Sequence, residues 1–138
     1  MKASYFVLTL LTTGIMIAAC KKEPTVTASP AKGNLKSLTT GDCNPLLVNG
    51  NYRKDTLLTT DNYIDIEVEI TQTGTYSIAT DTVNAYYFSA SGFATDPGTL
   101  DVRLMGAGRP YKSNAPGTAD TFHIPFDGQK CTAGITVF

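Results

Sequence analysis

Tyr63-Ile64-Asp65-Ile66-Glu67-Val68-Glu69-Ile70 decides the fold class. Every second residue is branched and apolar, and the intervening ones are polar. Successive side chains of an extended strand point to opposite faces. The stretch therefore reads as a half-buried strand, with Ile64, Ile66, Val68 and Ile70 facing a core. Working outward, Thr99 to Leu104 repeats the pattern, and so does Thr121 to Phe126. Pro125 in the latter has no N–H to give a ladder, so it belongs at an edge or a strand end. Thr75 to Thr80, Ala85 to Ser91 and Cys131 to Val137 are further strands; Leu46 to Tyr52 and Thr56 to Thr60 are weaker ones. Turn signals fall between them at Thr73-Gly74, Asp96-Pro97-Gly98, Gly106 to Pro110, Ala115-Pro116-Gly117 and Asp127-Gly128. After the N-terminal segment no stretch has a helical period. Seven or eight short strands with frequent turns predict an all-β, antiparallel β-sandwich. Gly41 to Phe138 is long enough for one core and not for two.

The start of the chain is different. Met1 and Lys2 form a short positive head, Tyr5 to Ile17 is mostly apolar, and no charge occurs from Ala3 to Ala19. That run is shorter than the roughly 20 apolar residues of a transmembrane helix. Its layout is that of a secretory signal. The exit, Ile17-Ala18-Ala19-Cys20, resembles the bacterial lipobox. The resemblance implies removal of residues 1–19, acylation of Cys20, and the membrane as a partner reached through that lipid. Each buried CH₂ contributes about 0.8 kcal/mol, so several acyl chains anchor stably. The competing reading is an ordinary signal with a chance cysteine. Once Cys20 carries lipid, Cys43 and Cys131 remain, and an exported protein folds where disulfides persist. The pair is expected to bond, stabilising the fold by roughly 4–5 kcal/mol through the long loop it closes. The rival reading is a metal or catalytic thiol; neither Cys43 nor Cys131 has a second Cys or His at ligand spacing.

Residues 21–40 are rich in Lys, Thr, Ser, Ala and Pro. Such a composition buries too little surface to offset its ordering entropy, so residues 20–40 are expected to be a lipidated Cys and a flexible tether. Lys21, Lys22, Lys32 and Lys36 against Glu23 give the tether a net charge of +3. The domain expected over 41–138 has six basic side chains against eleven acids, net −5; with Lys2 the whole chain is at −1. A basic tether suits an anionic membrane surface. An acidic domain is repelled from nucleic acid, so no nucleic-acid partner is expected.

The domain is similar to the immunoglobulin-like repeats of surface and secreted proteins of Bacteroidetes-type bacteria. The residues that carry the likeness are Cys43, Gly50 and Tyr52, then Thr73 to Ile78 running into Thr80 to Asn84. After these come Phe88, Ser91-Gly92-Phe93, Gly98-Thr99, Leu104, Gly106, Gly108, Pro110, Gly117, Phe122, Cys131, Ile135 and Val137. The resemblance implies an Ig-like sandwich whose first and last strands are joined by Cys43 and Cys131. It implies no enzyme activity and no cofactor. The chain departs from the family in having a single copy on a tether and no Trp.

Residues able to do chemistry are few. His123 is the only histidine, and Phe122 and Ile124 beside it claim the inward face, so it points to water. Asp65, Glu67 and Glu69 line one strand face, with alternate residues about 6.5–7 Å apart. That spacing overlaps the carboxyl separation of inverting glycosidases, roughly 6.5–9.5 Å. On a flat wet face it reads more simply as solvated charge. Asp61, Asp96 and Asp127 lack the spacing of a calcium loop, and no metal site is expected. Gly106-Ala107-Gly108-Arg109-Pro110 lacks the third glycine of a phosphate loop, and its Pro opposes the following helix.

Two features point to recognition. Among Tyr86, Tyr87, Phe88, Phe93 and Tyr111, the adjacent Tyr86 and Tyr87 must face opposite sides. Tyr86, Tyr87 and Tyr111 are candidate contacts for a sugar face or a protein interface. Asp55-Thr56-Leu57 and Asp81-Thr82-Val83 are similar to the sites at which Bacteroidetes attach O-glycans, which makes Thr56 and Thr82 candidate modification sites. The expected function is a non-enzymatic, lipid-anchored envelope protein presenting an Ig-like module for a protein or glycan. The alternatives are a structural accessory subunit of an envelope or surface assembly and, third, a glycan-processing enzyme. The expected location is the outer membrane, on its periplasmic or its surface face. Lys21 is not the Asp that retains many lipoproteins inside, and Glu23 alone is no acidic export run.

Overall fold

The computed structural model describes residues 28–138. The signal over 1–19, the lipidation site Cys20 and the first part of the tether lie outside the described residues. The described chain is all-β: β1 (Lys32–Leu35), β2 (Leu46–Asn49), β3 (Tyr63–Gln72), β4 (Gly74–Ala79), β5 (Tyr86–Ala94), β6 (Gly98–Gly108), β7 (Asp120–Phe126) and β8 (Gln129–Ile135).

β3 is the organising strand. Its inward residues Ile64, Ile66, Val68 and Ile70 are buried in strict alternation, as the period of two requires. β6 pairs along one edge of β3, from Tyr63 opposite Met105 to Ile70 opposite Gly98. Along the other edge β1 covers the end near Gln72 and β2 the end near Tyr63. The sheet continues through β6 to β5 and β4, all antiparallel, while β7 and β8 form a separate hairpin. Both sheets contribute to one core. Val102, Leu104, Tyr86, Phe88 and Ile78 from the large sheet meet Phe122, Ile124, Cys131, Ala133 and Ile135 from the hairpin. Tyr86, Phe88 and Phe122 pack edge to face, with centroids 4.8–5.9 Å apart.

The chain between β1 and β3 laces the two sheets together. Cys43 N donates to Thr132 O at 2.9 Å, and further on Phe138 N donates to Tyr52 O at 2.9 Å. These bonds lay residues 41–43 beside β8 and residues 52–54 beside Phe138, and the Cys43–Cys131 disulfide locks the first of these seams across 88 residues of sequence. The disulfide expected from the cysteine count is therefore present.

Three local expectations are corrected. The tether does not extend to residue 40, because Lys32–Leu35 is a strand and Ala31, Gly33 and Leu35 are buried. Backbone pairing stabilises this strand, and so do two side chains from the hairpin tip. Asp127 Oδ2 accepts from Gly33 N at 3.0 Å and Gln129 Oε1 from Leu35 N at 3.2 Å, capping donors of β1. Gly33 permits the close approach, since a Cβ there would sit 2.0 Å from Glu69 O. Thr56 to Thr60 is not a strand; only Leu58 of that stretch is buried. Gly106 to Gly108 is not a turn but the end of β6. Its glycines serve close packing, for a Cβ on Gly108 (φ 103°) would meet Ala85 O at 2.4 Å.

Candidate functional site

The outer face of β3 carries the acidic ladder, and each acid has a partner. Asp65 takes a bidentate pair from Arg103, at 2.8 and 2.9 Å. The Arg103 guanidinium also lies 3.8 Å over the Tyr63 ring. Glu67 is bonded by Lys36 Nζ at 2.7 Å, which raises the Lys36 pKa, and Glu69 accepts from Thr99 Oγ1 at 2.9 Å. The ladder is thus cross-linked to β1 and β6 by exposed ion pairs. Such pairs contribute little stability but fix the side chains in place.

His123 stands on the outer face of β7, as its neighbours required. Its Nδ1 lies 2.8 Å from Asp81 Oδ2, and its backbone N donates to Asp81 Oδ1, also at 2.8 Å. Burial pushes the Asp81 carboxyl up, but the bonds and charge of His123 outweigh this and hold it below the ordinary carboxylate range. Asp81 thereby ties the β4–β5 connection to the hairpin. Among the described residues no three His, Cys, Asp or Glu side chains gather to hold a metal ion.

The aromatic group divides as strand alternation demands. Tyr86 is fully buried and is corrected from candidate contact to core residue. Among the described residues its hydroxyl has no partner within hydrogen-bond distance. Burial, with the nearby Asp120 carboxylate adding to it, pushes the phenol pKa well up. Tyr52 beside it is raised by burial alone, and its Oη donates to Asn49 O at 2.9 Å. Tyr87 faces the other way and is 39% exposed; Phe93 on the same strand is 54% exposed and Tyr111 59%. The Tyr111 backbone is held by Asn84 Oδ1 at 3.2 Å, near the β5 end that carries Tyr87. Thr56 and Thr82 are both exposed in loops.

Sequence reasoning missed a cleft beside Ser89 and Ser91. β5 and β6 pair only from Tyr86 opposite Gly108 to Ser89 opposite Met105. Beyond that point β5 stays with β4 and β6 stays with β3, so the two strands part. The opening, of about 500 Å³, is lined by Tyr76, Ser77, Ser89, Ala90, Ser91, Arg103 and Met105. One signal was available: Tyr87, Ser89, Ser91 and Phe93 alternate along one strand and so share a face. The features define a disulfide-stapled, antiparallel all-β domain with polar clefts and exposed aromatics. The chain matches no family model, no curated protein and no solved structure with which it was compared.

Proposed function

We propose that the chain is an exported, lipid-anchored envelope protein that presents its β-sandwich as a non-enzymatic binding module for a protein or glycan. The observation that carries the reading is the Cys43–Cys131 disulfide within the core. A disulfide of that kind belongs to an oxidising compartment. It accounts for two of the three cysteines and leaves Cys20, at the end of a signal-like segment, for the lipid. The likeness to Ig-like repeats of Bacteroidetes-type surface proteins supports the same reading, and outer-membrane attachment through Cys20 follows from it. The β3 carboxylates lie on an open sheet face and are engaged by Arg103, Lys36 and Thr99, a setting of paired, solvated charge. Exposed Tyr87, Phe93 and Tyr111 supply contact surface. Exposed Thr56 and Thr82 are available for O-glycans.

The test is metabolic labelling with a palmitate analogue and detergent phase partition, comparing the chain with Cys20→Ala. Label and detergent partition are expected for the first and neither for the second; equal behaviour of the two refutes the anchor. Trypsin shaving of intact cells then locates the domain. Loss of the domain from unbroken cells means surface display, and protection until lysis means the periplasm and removes an adhesive role. A second reading, an accessory subunit of an envelope assembly, is favoured by one feature. β2 pairs with β3 alone among the described strands, and its Leu47 is 55% exposed. Such an edge can accept a partner's strand.

A further inference from the structure

We propose that the cleft where β5 and β6 part binds a neutral glycan chain; this rests on the binding-module reading above and gives it a place and a ligand class. Three observations converge there. First, the parted strands leave the gap-facing backbone groups of Ser91 and Phe93 and of Thr99, Asp101 and Arg103 without a ladder across the gap. Each strand keeps only its outer neighbour, β4 or β3. Second, the hydroxyls of Ser77, Ser89 and Ser91 line the gap and, among the described residues, have no protein hydrogen-bond partner. A serine hydroxyl donates one bond and accepts two, so the row matches the mixed donor–acceptor character of a sugar hydroxyl edge. Third, Arg103 is locked by Asp65 and by the Tyr63 ring. With Nε and Nη2 used on Asp65, Nη1 remains as a fixed donor beside the serines.

Aromatic rings lie on the same outer face of β5 as its serines. By strand alternation Tyr87 and Phe93 flank Ser89 and Ser91 on that face, six residues and therefore about 20 Å apart. That length suits an oligosaccharide rather than a single sugar. Exposed aromatic faces with a few fixed polar groups between them form the usual pattern of a ligand site. Tyr76 closes the inner wall: its hydroxyl lies across Gly92, where an added Cβ would be 2.6 Å away.

Charge selects the class. The Arg103 charge is already matched by Asp65, and residues 28–138 hold eight basic against eleven acidic side chains. An anionic glycan is repelled, and a neutral one is not. An extended peptide is the competing occupant, since unpaired edges accept strands. A peptide would also need apolar pockets for its alternate side chains, and four of the seven residues lining this gap are the polar Ser77, Ser89, Ser91 and Arg103.

The experiment is affinity electrophoresis of the full chain through gels containing mannan, galactomannan, laminarin or dextran. Amide shift mapping with oligosaccharides of the retarding polymer follows. Retardation by at least one polymer is expected, with shifts centred on Ser77, Ser89, Ser91 and Arg103. Ser89→Ala and Ser91→Ala each remove one hydroxyl, half-buried at Ser89 and exposed at Ser91. Each is expected to weaken binding about three- to tenfold, with the urea unfolding midpoint unchanged. Gly92→Ala, which displaces Tyr76, should weaken it as well, while Thr121→Val on the distant hairpin should not. Retardation that survives both serine substitutions refutes this site and leaves the binding-module reading standing. No retardation by any of the four polymers refutes the glycan assignment, and the Cys20 and shaving tests still decide the envelope reading. Shifts at Ala90 to Phe93 on adding an extended Thr-Val peptide, with none from the polymers, overturn it in favour of strand addition.

Discussion

Removing the cross-link between Cys43 and Cys131 tests how this small sandwich stays folded. The bridge joins residues 88 apart in sequence. In the chain-entropy picture a loop of that length restricts the unfolded ensemble by about 4.6 kcal/mol at 25 °C. A domain of this size has about 5–15 kcal/mol in all, so the bridge is a large share of the total. Two parallel backbone bonds beside it, Cys43 N to Thr132 O and Thr132 N to Gly41 O, stay in place when it opens. The native seam is thus kept, and the loss falls mainly on the unfolded side of the equilibrium. The double variant Cys43→Ala/Cys131→Ala adds a small cavity cost, so reduction of the unaltered chain is the cleaner perturbation. Equilibrium urea unfolding with and without reductant should show a loss of about 4–5 kcal/mol. Thermal unfolding should fall by about 20 °C at roughly 4 °C per kcal/mol. A loss below about 1 kcal/mol would refute the reasoning, because the seam would then be closed in the unfolded state or irrelevant to it.

Gly33→Ala should destabilise by about 3 kcal/mol or more, since its methyl would drive into Glu69 O of β3; a urea midpoint like that of the unaltered chain would show β1 to be dispensable. Tyr86→Phe should cost less than about 0.5 kcal/mol because the hydroxyl has no partner, whereas Tyr52→Phe should cost about 1 kcal/mol for its bond to Asn49 O; calorimetry of the two side by side checks the order. Both phenols are raised above the ordinary value near 10, so the folded state holds their protons longer than the unfolded state does. Their contribution is fully present below pH 10 and is lost as the pH climbs above it, and absorbance at 295 nm near pH 11 should lack two phenolates until the protein unfolds. The depressed Asp81 carboxyl works in the opposite sense. Its contribution is present above about pH 4 and lost as the pH falls through its folded value, and Asp81→Asn should flatten that acid limb of stability against pH.

Much of the fold was legible because the signal was local. The period of two in Tyr63 to Ile70 fixes which side chains go inward whatever strand lies next to it, and the structure keeps that alternation without a slip. The same rule placed His123 outside and put Tyr86 and Tyr87 on opposite faces. It could not say which of the two tyrosines was the inner one. That choice is set by packing against Phe122 and Tyr52, which are distant in sequence. β1 was illegible for a similar reason. Lys32-Gly33-Asn34-Leu35 has one large apolar side chain, and its order comes from Val68 to Gln72, Asp127 and Gln129, the last two more than 90 residues away. Gly106 and Gly108 misled in the opposite direction. Glycine marks turns when read locally, yet here it lets Asn62 and the start of β5 approach the backbone of β6 closely.

The cleft was less legible than the strands because it arises from where a pairing stops. No period or turn signal in Tyr86 to Ala94 or in Gly98 to Gly108 marks the point beyond Ser89 and Met105 where the two strands separate. Each half has a stronger commitment elsewhere: Thr75 to Ala79 claims the far half of β5, and Glu69 to Ile64 claims the near half of β6. The core supplies the reason for both commitments. Ile78 and Ala94 must be buried on one side and Val102 and Leu104 on the other, and one flat sheet through all four strands could not wrap them around the hairpin's Phe122 and Ile124. The sheet therefore opens where the inward side chains of β5 dwindle to Ala90 and Gly92, which have little apolar surface to hold the strands together. Small residues at those two positions make the gap, and the outward serines between them make it polar. Replacing Ala90 with Val should draw β6 back toward β5 by adding apolar surface at the mouth of the gap. Protection of the Asp101 and Arg103 amides, which face the gap, from hydrogen exchange would rise if this account is right and stay unchanged if the parting has another cause.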